Sequence, residues 1–318
     1  MRSAGIDVVI VPMKRDICPF HDLGALLKIY RVIRRERFDV IHTHSSKAGF
    51  LGRIAARMAR APIVVHTPHS FAFRMNVRRW SKAFYFQLEK FAASLADSII
   101  CVCRNEMDIA LQTGLASPDK FLVIENGVTA SAGAGGTGRK ELGLGEGGKV
   151  VGAVGRFAPQ KGSDVFIDSA VEILKRFPDT RFFIAGTGKL KPGLQDRIER
   201  QGIGDSFKLV EAETGFDSYY TVIDVFVLPS LWEGMPYALL DALAFGKPVA
   251  ASSVGGVPEA VSDEENGLLV PPGDSSALAE AVCRLLENAE LRGRLGAAAR
   301  RTMEKRFLKE EMVSRTEN

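Results

Sequence analysis

The sequence predicts an α/β protein with two doubly wound domains, each a parallel sheet covered by helices. Three observations support this fold class. The chain has 318 residues, enough for two domains of ordinary size. Short β-branched runs alternate with amphipathic helical stretches, the pattern of a parallel sheet between helices. A Gly-rich stretch without hydrophobic periodicity, 131–149, separates the two halves.

The predicted elements follow this alternation. In the first half the strands are Val8–Val11, Val40–His42, Ile63–His66, Ser98–Val102 and Phe121–Ile124, and the helices are Leu23–Arg37, Ala48–Arg60, Trp80–Ala96 and Glu106–Thr113. In the second half the strands are Val150–Val154, Arg181–Ala185, Phe207–Val210, Val225–Leu228, Pro248–Ala251 and Gly267–Val270, and the helices are Asp164–Arg176, Leu190–Gln201, Phe216–Thr221, Tyr237–Phe245 and Ser276–Asn288.

These elements predict domains at 1–130 and 150–299, joined by a Gly-rich linker at 131–149. A basic C-terminal helix is predicted within 300–318, and we expect it to cross back to the first domain. Ligands bind at the carboxyl ends of the strands in doubly wound sheets. The cleft between the two domains is therefore the predicted site.

The composition excludes several classes of protein. With 46% hydrophobic and 25% charged residues the chain is of ordinary globular composition, which excludes wholesale disorder. No apolar run approaches the roughly 18–20 residues of a membrane-spanning helix. Four cysteines are too few for a disulfide framework, so we expect a cytoplasmic protein. The net charge of +4 divides into +8 for 1–130 and −4 for 131–318, which predicts different partners for the two halves.

One candidate binding motif is the strand–turn–helix joint at 150–162. The predicted strand ends at Gly155, and Lys161 follows Arg156 by five residues, just before a helix. Glycine allows a close approach of the backbone to a ligand, and a helix N-terminus favours anions. Arg156 offers a bidentate fork and Lys161 a mobile point charge, so both are candidates for one phosphate group. The alternative is an ordinary joint with two solvated cations.

A second candidate motif runs from a buried strand into a loop and a helix, 225–241. The loop carries Glu233, and the helix carries Asp241 about one and a half turns inside it. Backbone N–H groups at the helix start, 234–239, are candidates for an anion or a sugar hydroxyl, apart from Pro236. The two carboxylates suit contacts to two parts of a long ligand. The alternative is a carboxylate that balances the helix dipole and a polar Asp on the helix surface.

Four histidines follow two predicted strands of the first half. His42 and His44 end one strand, and His66 and His69 end the next, so all four lie at the carboxyl edge of the sheet. A zinc or iron site is one interpretation, but no acidic ligand accompanies them. A single histidine that acts as a hydrogen-bond donor is favoured, and His69 is the best placed. The alternative for His69 is a structural role.

Cations and aromatic residues are interleaved over 71–86. Such a stretch can lie on an anionic membrane or bind nucleic acid. No nucleic-acid recognition motif accompanies it, so no nucleic-acid partner is predicted. The alternative is a helix whose aromatic face belongs to the core and whose basic face is solvated.

The second half as a whole resembles the donor domain of family 4 retaining glycosyltransferases of the GT-B fold. The matching motifs are Gly155-Arg156 with Lys161-Gly162, Ala185–Gly188, Asp224–Ser230, Glu233-Gly234 with Asp241, Val254–Glu259 and Asn266–Gly273. The first half, through 42–52 and 66–69, looks like the acceptor domain of members that build bacterial capsular and surface polysaccharides. The resemblance implies two Rossmann-like domains.

The resemblance also implies roles for individual residues. Arg156 and Lys161 would bind the diphosphate of a nucleotide-sugar donor, Glu233 would hold the hydroxyls of the sugar, and His69 would contact the sugar near the reacting carbon. The implied donor-binding set is Gly155, Gly186, Gly188, Gly234, Met235, Pro236, Tyr237, Ala238, Leu239 and Asp241, of which Asp241 would reach the ribose.

Transfer with retention builds positive charge on the sugar and negative charge on the departing diphosphate. Two cations and a helix N-terminus can stabilise that separation without a metal ion. No Asp-x-Asp motif occurs, although metal-dependent glycosyltransferases usually hold their ion with one. We therefore expect neither a metal nor a cofactor.

Three departures from the family pattern stand out. Asp241 replaces the usual Glu and is shorter by one methylene, about 1.5 Å, so we expect a weaker ribose contact. The family's usual Phe-Leu-Gly is replaced by Leu209–Ala212, so the nucleotide is not predicted. The first domain is expected to lack the family's initial strand, helix and strand.

The predicted function is that of a retaining glycosyltransferase. It would move a sugar from a nucleotide-diphosphate sugar to a lipid-linked saccharide in polysaccharide biosynthesis, peripherally on the inner face of the plasma membrane. One alternative is a nucleotide-sugar-binding fragment without turnover, because an acceptor-side loop would be missing. A more distant alternative is a GT-B-like sugar-nucleotide epimerase.

Overall fold

The computed structural model describes residues 5–14, 16–74, 78–130, 138–140, 142–145, 147–212, 214 and 216–318. The chain divides into two compact units, Met1–Val123 and Ile124–Asn318. The boundary thus precedes the Gly-rich stretch predicted as the linker, of which 131–137, 141 and 146 lie outside the described residues.

The first unit contains one parallel sheet and its helices. The strands are β1 (Val40–His44), β2 (Ile63–Thr67), β3 (Ser98–Cys101) and β4 (Phe121–Val123), and the helices are α1 (Pro19–Glu36), α2 (Ser46–Met58), α3 (Arg79–Ser94) and α4 (Arg104–Gln112). The sheet order is β1-β2-β3-β4. One apolar cluster forms where α1 and α2 pack beside β2, and a second one forms around β3.

The second unit contains six parallel strands. They are β5 (Val150–Val154), β6 (Arg181–Gly186), β7 (Phe207–Glu211), β8 (Val225–Leu228), β9 (Val249–Ser252) and β10 (Leu268–Val270). The helices are α5 (Ser163–Arg176), α6 (Lys191–Arg200), α7 (Asp217–Val222), α8 (Tyr237–Ala244), α9 (Val257–Ala260), α10 (Ser275–Glu287), α11 (Ala289–Arg306) and α12 (Lys309–Glu317). The strands β5 and β8 are buried at every position, as expected for the centre of a parallel sheet.

The strand order of the second sheet is β10-β9-β8-β5-β6-β7. From β5 the chain adds β6 and then β7 on one side of the sheet. It then returns to the other side of β5 and adds β8, β9 and β10 in that direction. The order therefore reverses between β5 and β8, which is the topological switch point of a doubly wound sheet. Loops that follow these two strands are the expected place for a ligand.

One predicted strand is wrong. Val8–Val11 lies in 6–14, which has no regular secondary structure, and Val9 and Ile10 are exposed. The segment 8–11 pairs with none of the described strands, and β1, at the edge of its sheet, pairs with β2 alone among them. The predicted basic C-terminal helix is two helices, α11 and α12, because the helical hydrogen bonding stops at Arg306.

None of the helices in the described ranges combines the length and the apolar character that crossing a bilayer requires.

Candidate functional site

The switch point of the second sheet brings the two predicted motifs together. The strands β5 and β8 are adjacent, with Val151 opposite Val225, although they lie far apart in the sequence. The loops beyond them are joined by a hydrogen bond of 2.8 Å from the Leu231 N–H to the Gln160 carbonyl oxygen. The two motifs therefore form one continuous surface of the second unit.

The centre of this surface is an ion pair between Lys161 and Glu233. The Nζ of Lys161 lies 2.5 Å from Oε1 of Glu233, and their side chains are 18% and 6% exposed. Ser230 Oγ donates to the same oxygen at 2.7 Å, and Gln160 Nε2 donates to Oε2 at 3.1 Å. The Glu233 carboxylate is thus held by three donors in a largely buried position, which fixes it relative to Lys161.

Glycines allow the loops to approach this closely. Gly162 has a φ of 57°, and a Cβ on it would overlap with the carbonyl oxygen of Pro229. A Cβ on Gly186 would overlap with the carbonyl oxygen of Gly155, and one on Gly188 with that of Phe157. The predicted glycines 186 and 188 therefore bring the end of β6 against the turn after β5.

Arg156 is an exposed cation at the turn after β5. Its side chain is exposed, and no hydrogen bond or ion pair to it occurs in the described part of the chain. The Lys161 side chain lies beside Gly155, 3.5 Å from the position of a Cβ there. Gly155, Arg156 and Lys161 thus all lie at the turn after β5. A pocket at this seam is lined by Ala153, Val154, Gly155, Lys161, Ser163, Ile184, Val227, Leu228, Pro229 and Ser230.

The start of α8 is held by a residue that the sequence analysis missed. Asn126 is buried, its Nδ2 donates to the Met235 carbonyl oxygen at 2.7 Å, and its Oδ1 accepts from the Tyr237 hydroxyl at 3.2 Å. Gly234 adds a second attachment, because its carbonyl oxygen accepts from Gly256 at 2.8 Å. The loop before α8 is therefore fixed on two sides.

Some of the backbone N–H groups at the start of α8 are available to donate to a ligand, and others are not. Leu239 N–H donates to the Pro236 carbonyl oxygen at 3.1 Å, so its predicted availability to a ligand is wrong. The N–H groups of Tyr237 and Ala238 have no acceptor among the described residues. Pro236 occupies the N-cap position with extended backbone, which opens the first turn of the helix.

Asp241 lies one turn further along α8, next to Asp217 of α7. Burial, together with the neighbouring Asp217 charge, raises the pKa of the Asp241 carboxyl from 3.8 to about 6. Its carboxylate forms no hydrogen bond or ion pair within the described ranges. Tyr220 is fully buried beside it and donates to the Ala238 carbonyl oxygen instead. Asp241 is thus a half-buried carboxylate without a cation partner among the residues that the structure describes.

The histidines of the first unit form a row at the carboxyl edge of β1 and β2. His42 Nε2 lies 2.8 Å from Thr67 Oγ1, and its ring lies 4.2 Å from that of His44 between centroids. His44 Nδ1 lies 3.1 Å from His69 Nε2, and these two rings stack at 22°. Burial lowers the pKa of His42 to about 4 and lowers those of His44 and His69. The three rings are therefore neutral near pH 7.

His66 has a different environment. It is fully buried, its Nδ1 lies 2.9 Å from Thr43 Oγ1, and its Nε2 lies 3.7 Å from the Glu89 carboxylate, which pairs with the buried Arg53 at 2.8 Å. A Cβ on Gly49 would overlap with its ring. His66 thus belongs to an internal polar network and does not join the other three histidines.

No metal centre is formed within the described ranges by three or more His, Cys, Asp or Glu side chains. Asn126, Gln160 and Ser230 were not predicted from the sequence as parts of the site. Gln160 and Ser230 each lie within a motif that was recognised, and Asn126 is the first residue of an Asn-Gly pair shortly after β4. An Asn-Gly pair after a strand is a turn signal, but it does not indicate a contact more than a hundred residues away.

Comparison with known proteins places these features in a family. Residues 137–302 match the family described as "Glycosyl transferases group 1", and residues 1–127 match "Glycosyl transferase 4-like domain". The chain is 36% identical over 285 residues to the Escherichia coli UDP-Gal:alpha-D-GlcNAc-diphosphoundecaprenol alpha-1,3-galactosyltransferase, covering 87% of this chain and 74% of that protein. It is 27% identical to the Staphylococcus aureus capsular polysaccharide biosynthesis glycosyltransferase CapM, covering 94% and 80%.

Solved structures share the fold. HepE from Anabaena, in complex with UDP, has a TM-score of 0.76 and 21% identity and covers 92% of this chain and 81% of that one. Sucrose-phosphate synthase from Thermosynechococcus elongatus has a TM-score of 0.81 and 24% identity and covers 95% and 79%. These likenesses concern the GT-B fold, which has two Rossmann-like domains. The family models and the Escherichia coli relative show that the chain belongs to the glycosyl transferases group 1 family and is a glycosyltransferase.

Proposed function

We propose that this glycosyltransferase moves a sugar from a nucleotide-diphosphate sugar to a saccharide acceptor in polysaccharide biosynthesis, with retention of configuration. The observation that carries the proposal is the arrangement at the switch point of the second sheet. An exposed cation, Arg156, lies beside a Lys161–Glu233 pair whose carboxylate is fixed by neighbouring donors. A diphosphate suits the cations, and sugar hydroxyls suit the carboxylate.

In the proposed reaction the bond between the anomeric carbon and a diphosphate oxygen breaks. A bond to the acceptor hydroxyl oxygen forms on the same face of the sugar, and the acceptor proton passes to the departing diphosphate. Arg156 and Lys161 stabilise the negative charge of the leaving group, and the free N–H groups at the start of α8 add to this field. The proposal includes no metal ion, because the chain supplies these cations itself and contains no Asp-x-Asp motif.

The remaining predicted residues receive corresponding roles. Glu233 holds the hydroxyls of the donor sugar, and His69 contacts the sugar near the reacting carbon. Asp241 accepts from the ribose hydroxyls, and a ligand hydroxyl there would satisfy a carboxylate that has no internal partner within the described ranges. Being shorter than Glu, it reaches less far, which predicts a modest ribose contribution to affinity.

The relatives suggest the substrates to test first. The name of the Escherichia coli relative specifies UDP-Gal, a diphosphoundecaprenol-linked acceptor and an α-1,3 product. An α-linked product is the anomer expected of retention from an α-linked nucleotide sugar. UDP-Gal and a lipid-linked saccharide are therefore the first donor and acceptor to test.

Peripheral contact with an anionic membrane on the cytoplasmic side completes the proposal, and α3 is the surface that supports it. Trp80, Phe84 and Phe91 are 68%, 49% and 54% exposed. Their spacing of four and seven residues places them on one face of the helix. The exposed cations Arg79 and Lys90 lie on the same helix, which suits an anionic lipid surface.

The rest of the basic aromatic stretch contributes to the core. Phe71, Phe73, Tyr85 and Phe86 pack in the cluster around β3, and 75–77 lie outside the described residues. The core interpretation of the stretch therefore applies to these four rings. The exposed face of α3 that carries Trp80 does not belong to this core and is therefore available for contact with lipid.

The membrane contact is tested by flotation with vesicles containing anionic lipid at low salt. The double variant Trp80→Ala/Phe84→Ala should lose flotation, whereas Leu111→Ala, which removes another exposed apolar side chain of the first unit, should float like the wild type. Wild-type protein that stays in the dense fraction would contradict the membrane contact.

The catalytic proposal is tested with Arg156→Ala and Lys161→Ala. Removing one group that stabilises developing negative charge costs about 100–1,000-fold in kcat, so each variant should lose at least about 100-fold in transfer. Lys175→Ala, which removes an exposed cation of α5, is the matched control. Wild-type rates in both site variants would overturn the phosphate assignment.

The same assays separate the alternatives. Calorimetry with several nucleoside diphosphates that shows binding without transfer would indicate a nucleotide-sugar-binding fragment. Release of an epimerised sugar nucleotide without acceptor would indicate an epimerase. The anomeric configuration of the product, read by NMR, tests retention, and transfer in the presence of EDTA tests metal independence.

A further inference from the structure

The turn after β2 has an unusual backbone. His69 and Ser70 follow one another with φ values of 53° and 96°, in the left-handed region that favours glycine. Side chains with a Cβ rarely adopt this conformation, and two such residues in sequence need support from their surroundings. Strained backbone of this kind is found at functional sites, where it aims a side chain.

The support comes from Glu106 in the first turn of α4. This residue is buried, its Oε1 accepts the N–H of Ser70 at 2.6 Å, and its Oε2 accepts the N–H of Val102 at 2.9 Å. Hydrogen bonds to a carboxylate are stronger than those to a neutral acceptor, and a helix N-terminus stabilises the negative charge. One buried carboxylate therefore ties the turn after β2 to the end of β3.

The turn held in this way sets the position of His69. Its ring stacks on that of His44, with 5.3 Å between the centroids, and its Nε2 lies 3.1 Å from Nδ1 of His44. One of the two nitrogens donates and the other accepts, so the contact selects one tautomer for each ring. The remaining nitrogen of His69 then has a defined role as donor or acceptor towards a ligand.

We propose that Glu106 is a positioning residue of the transfer reaction: it holds the strained His69–Ser70 turn and thereby keeps the His69 ring in register with His44. The inference rests on the proposed function, since it assumes that His69 contacts the donor sugar. Glu106 itself acts through the turn and touches no substrate.

The variant Glu106→Gln tests this role. Gln retains the length of the side chain but replaces one acceptor oxygen by an amide that faces an N–H group. We expect kcat to fall at least about 10-fold while the affinity for UDP, measured by calorimetry, stays within about 2-fold. The basis for that expectation is that the proposed diphosphate residues, Arg156 and Lys161, belong to the other unit. Wild-type kcat in a folded Glu106→Gln protein would overturn the proposal.

A rescue experiment separates positioning from a general effect on folding. Glycine adopts a positive φ readily, so Ser70→Gly reduces the need for the Glu106 carboxylate and should restore kcat to the Glu106→Gln protein at least about 5-fold. Ser45 also has a positive φ, of 59°, in the same unit, so Glu106→Gln/Ser45→Gly is the matched control. Equal recovery in both double variants, or in neither, would overturn the proposal. If Glu106→Gln does not fold, Glu106→Asp takes its place with the same expectations.

Ring nitrogen shifts give a readout that does not depend on activity. The chain has five histidines, so ¹⁵N-histidine labelling gives a tractable spectrum. In Glu106→Gln the ring signals of His69 and His44 should move together, whereas those of the buried His66 should stay. Unchanged signals for His69 and His44 would contradict the inference. If the wild-type chain shows no transfer but these signals move, the proposed function fails while the positioning role of Glu106 stands.

Discussion

Asp241 offers a quantitative test of the electrostatics at the candidate donor site. The replacement Asp241→Asn retains the shape of the side chain and removes a charge that burial and Asp217 disfavour. A carboxyl whose pKa rises to about 6 on folding prefers its neutral form in the folded protein. Its ionisation therefore lowers the free energy of unfolding. The reduction is absent below a pH of about 3.8 and complete above a pH of about 6.

The magnitude follows from the two pKa values. Each unit of pKa corresponds to 1.36 kcal/mol, so the shift from 3.8 to about 6 gives a cost of about 3 kcal/mol at pH 8. We expect the free energy of unfolding of Asp241→Asn to exceed that of the wild type by about 1–3 kcal/mol at pH 8. For a unit of this size such a gain raises Tm by roughly 2–4 °C per kcal/mol. The difference should shrink towards zero as the pH falls to about 4.

The assay is urea unfolding followed by the fluorescence of Trp232. The chain has two tryptophans, so a Trp80→Phe background makes the signal report on the second unit. Asp168→Asn is the control with the opposite sign, because Arg197 and Gln201 donate to the Asp168 carboxylate and hold its pKa low. This replacement should lower the free energy of unfolding at pH 8 and have little effect on it at low pH. An Asp241→Asn protein that is less stable than the wild type at pH 8, or whose advantage does not depend on pH, would refute the reasoning.

Three further predictions concern the same unit. Glu233→Gln should lose at least about 100-fold in transfer but still bind a nucleoside diphosphate, since Lys161 is then released from its ion pair; loss of that binding in calorimetry would contradict the assignment. Asn126→Ala removes both contacts to the loop before α8 and should raise the KM for the donor several-fold, with kcat less affected; an unchanged KM in steady-state kinetics would count against it. Gly186→Ala places a Cβ against the Gly155 carbonyl oxygen and should destabilise the second unit by about 1–3 kcal/mol in urea unfolding, whereas Gly193→Ala, with open space around it, should not.

Local patterns predicted most of the fold because most strands of these sheets are short, rich in apolar residues and bounded by turns. The second sheet illustrates this well: β5 and β8 were predicted with the bounds that the structure has. The failure at Val8–Val11 has a physical cause. A short apolar run such as 8–11 describes the ability to form a strand, but a strand forms only where it joins the hydrogen-bonded ladder of a neighbour, and that pairing is a long-range property.

The same distinction applies to the site. Arg156, Lys161 and Glu233 were predicted because each lies in a local motif next to a strand end, and the strand order then explains why they meet. Asn126 was not predicted, because its contacts to Met235 and Tyr237 depend on tertiary structure alone. The stacking of His69 on His44 was missed for the same reason, although both residues had been assigned to the same edge of the sheet.

The ion pair between Lys161 and Glu233 has a consequence for selectivity. Before a donor binds, Glu233 serves as an internal counter-ion, so Arg156, Lys161 and Glu233 together carry one positive charge instead of two. Inorganic phosphate can meet the cations, but it lacks the several sugar hydroxyls that would take the place of Lys161 at Glu233, so binding it would weaken the support of the carboxylate. A nucleotide sugar offers diphosphate oxygens to Lys161 and sugar hydroxyls to Glu233, so each member of the ion pair gains a new partner at the same time. We therefore expect the resting site to discriminate against the free phosphate that is abundant in cells.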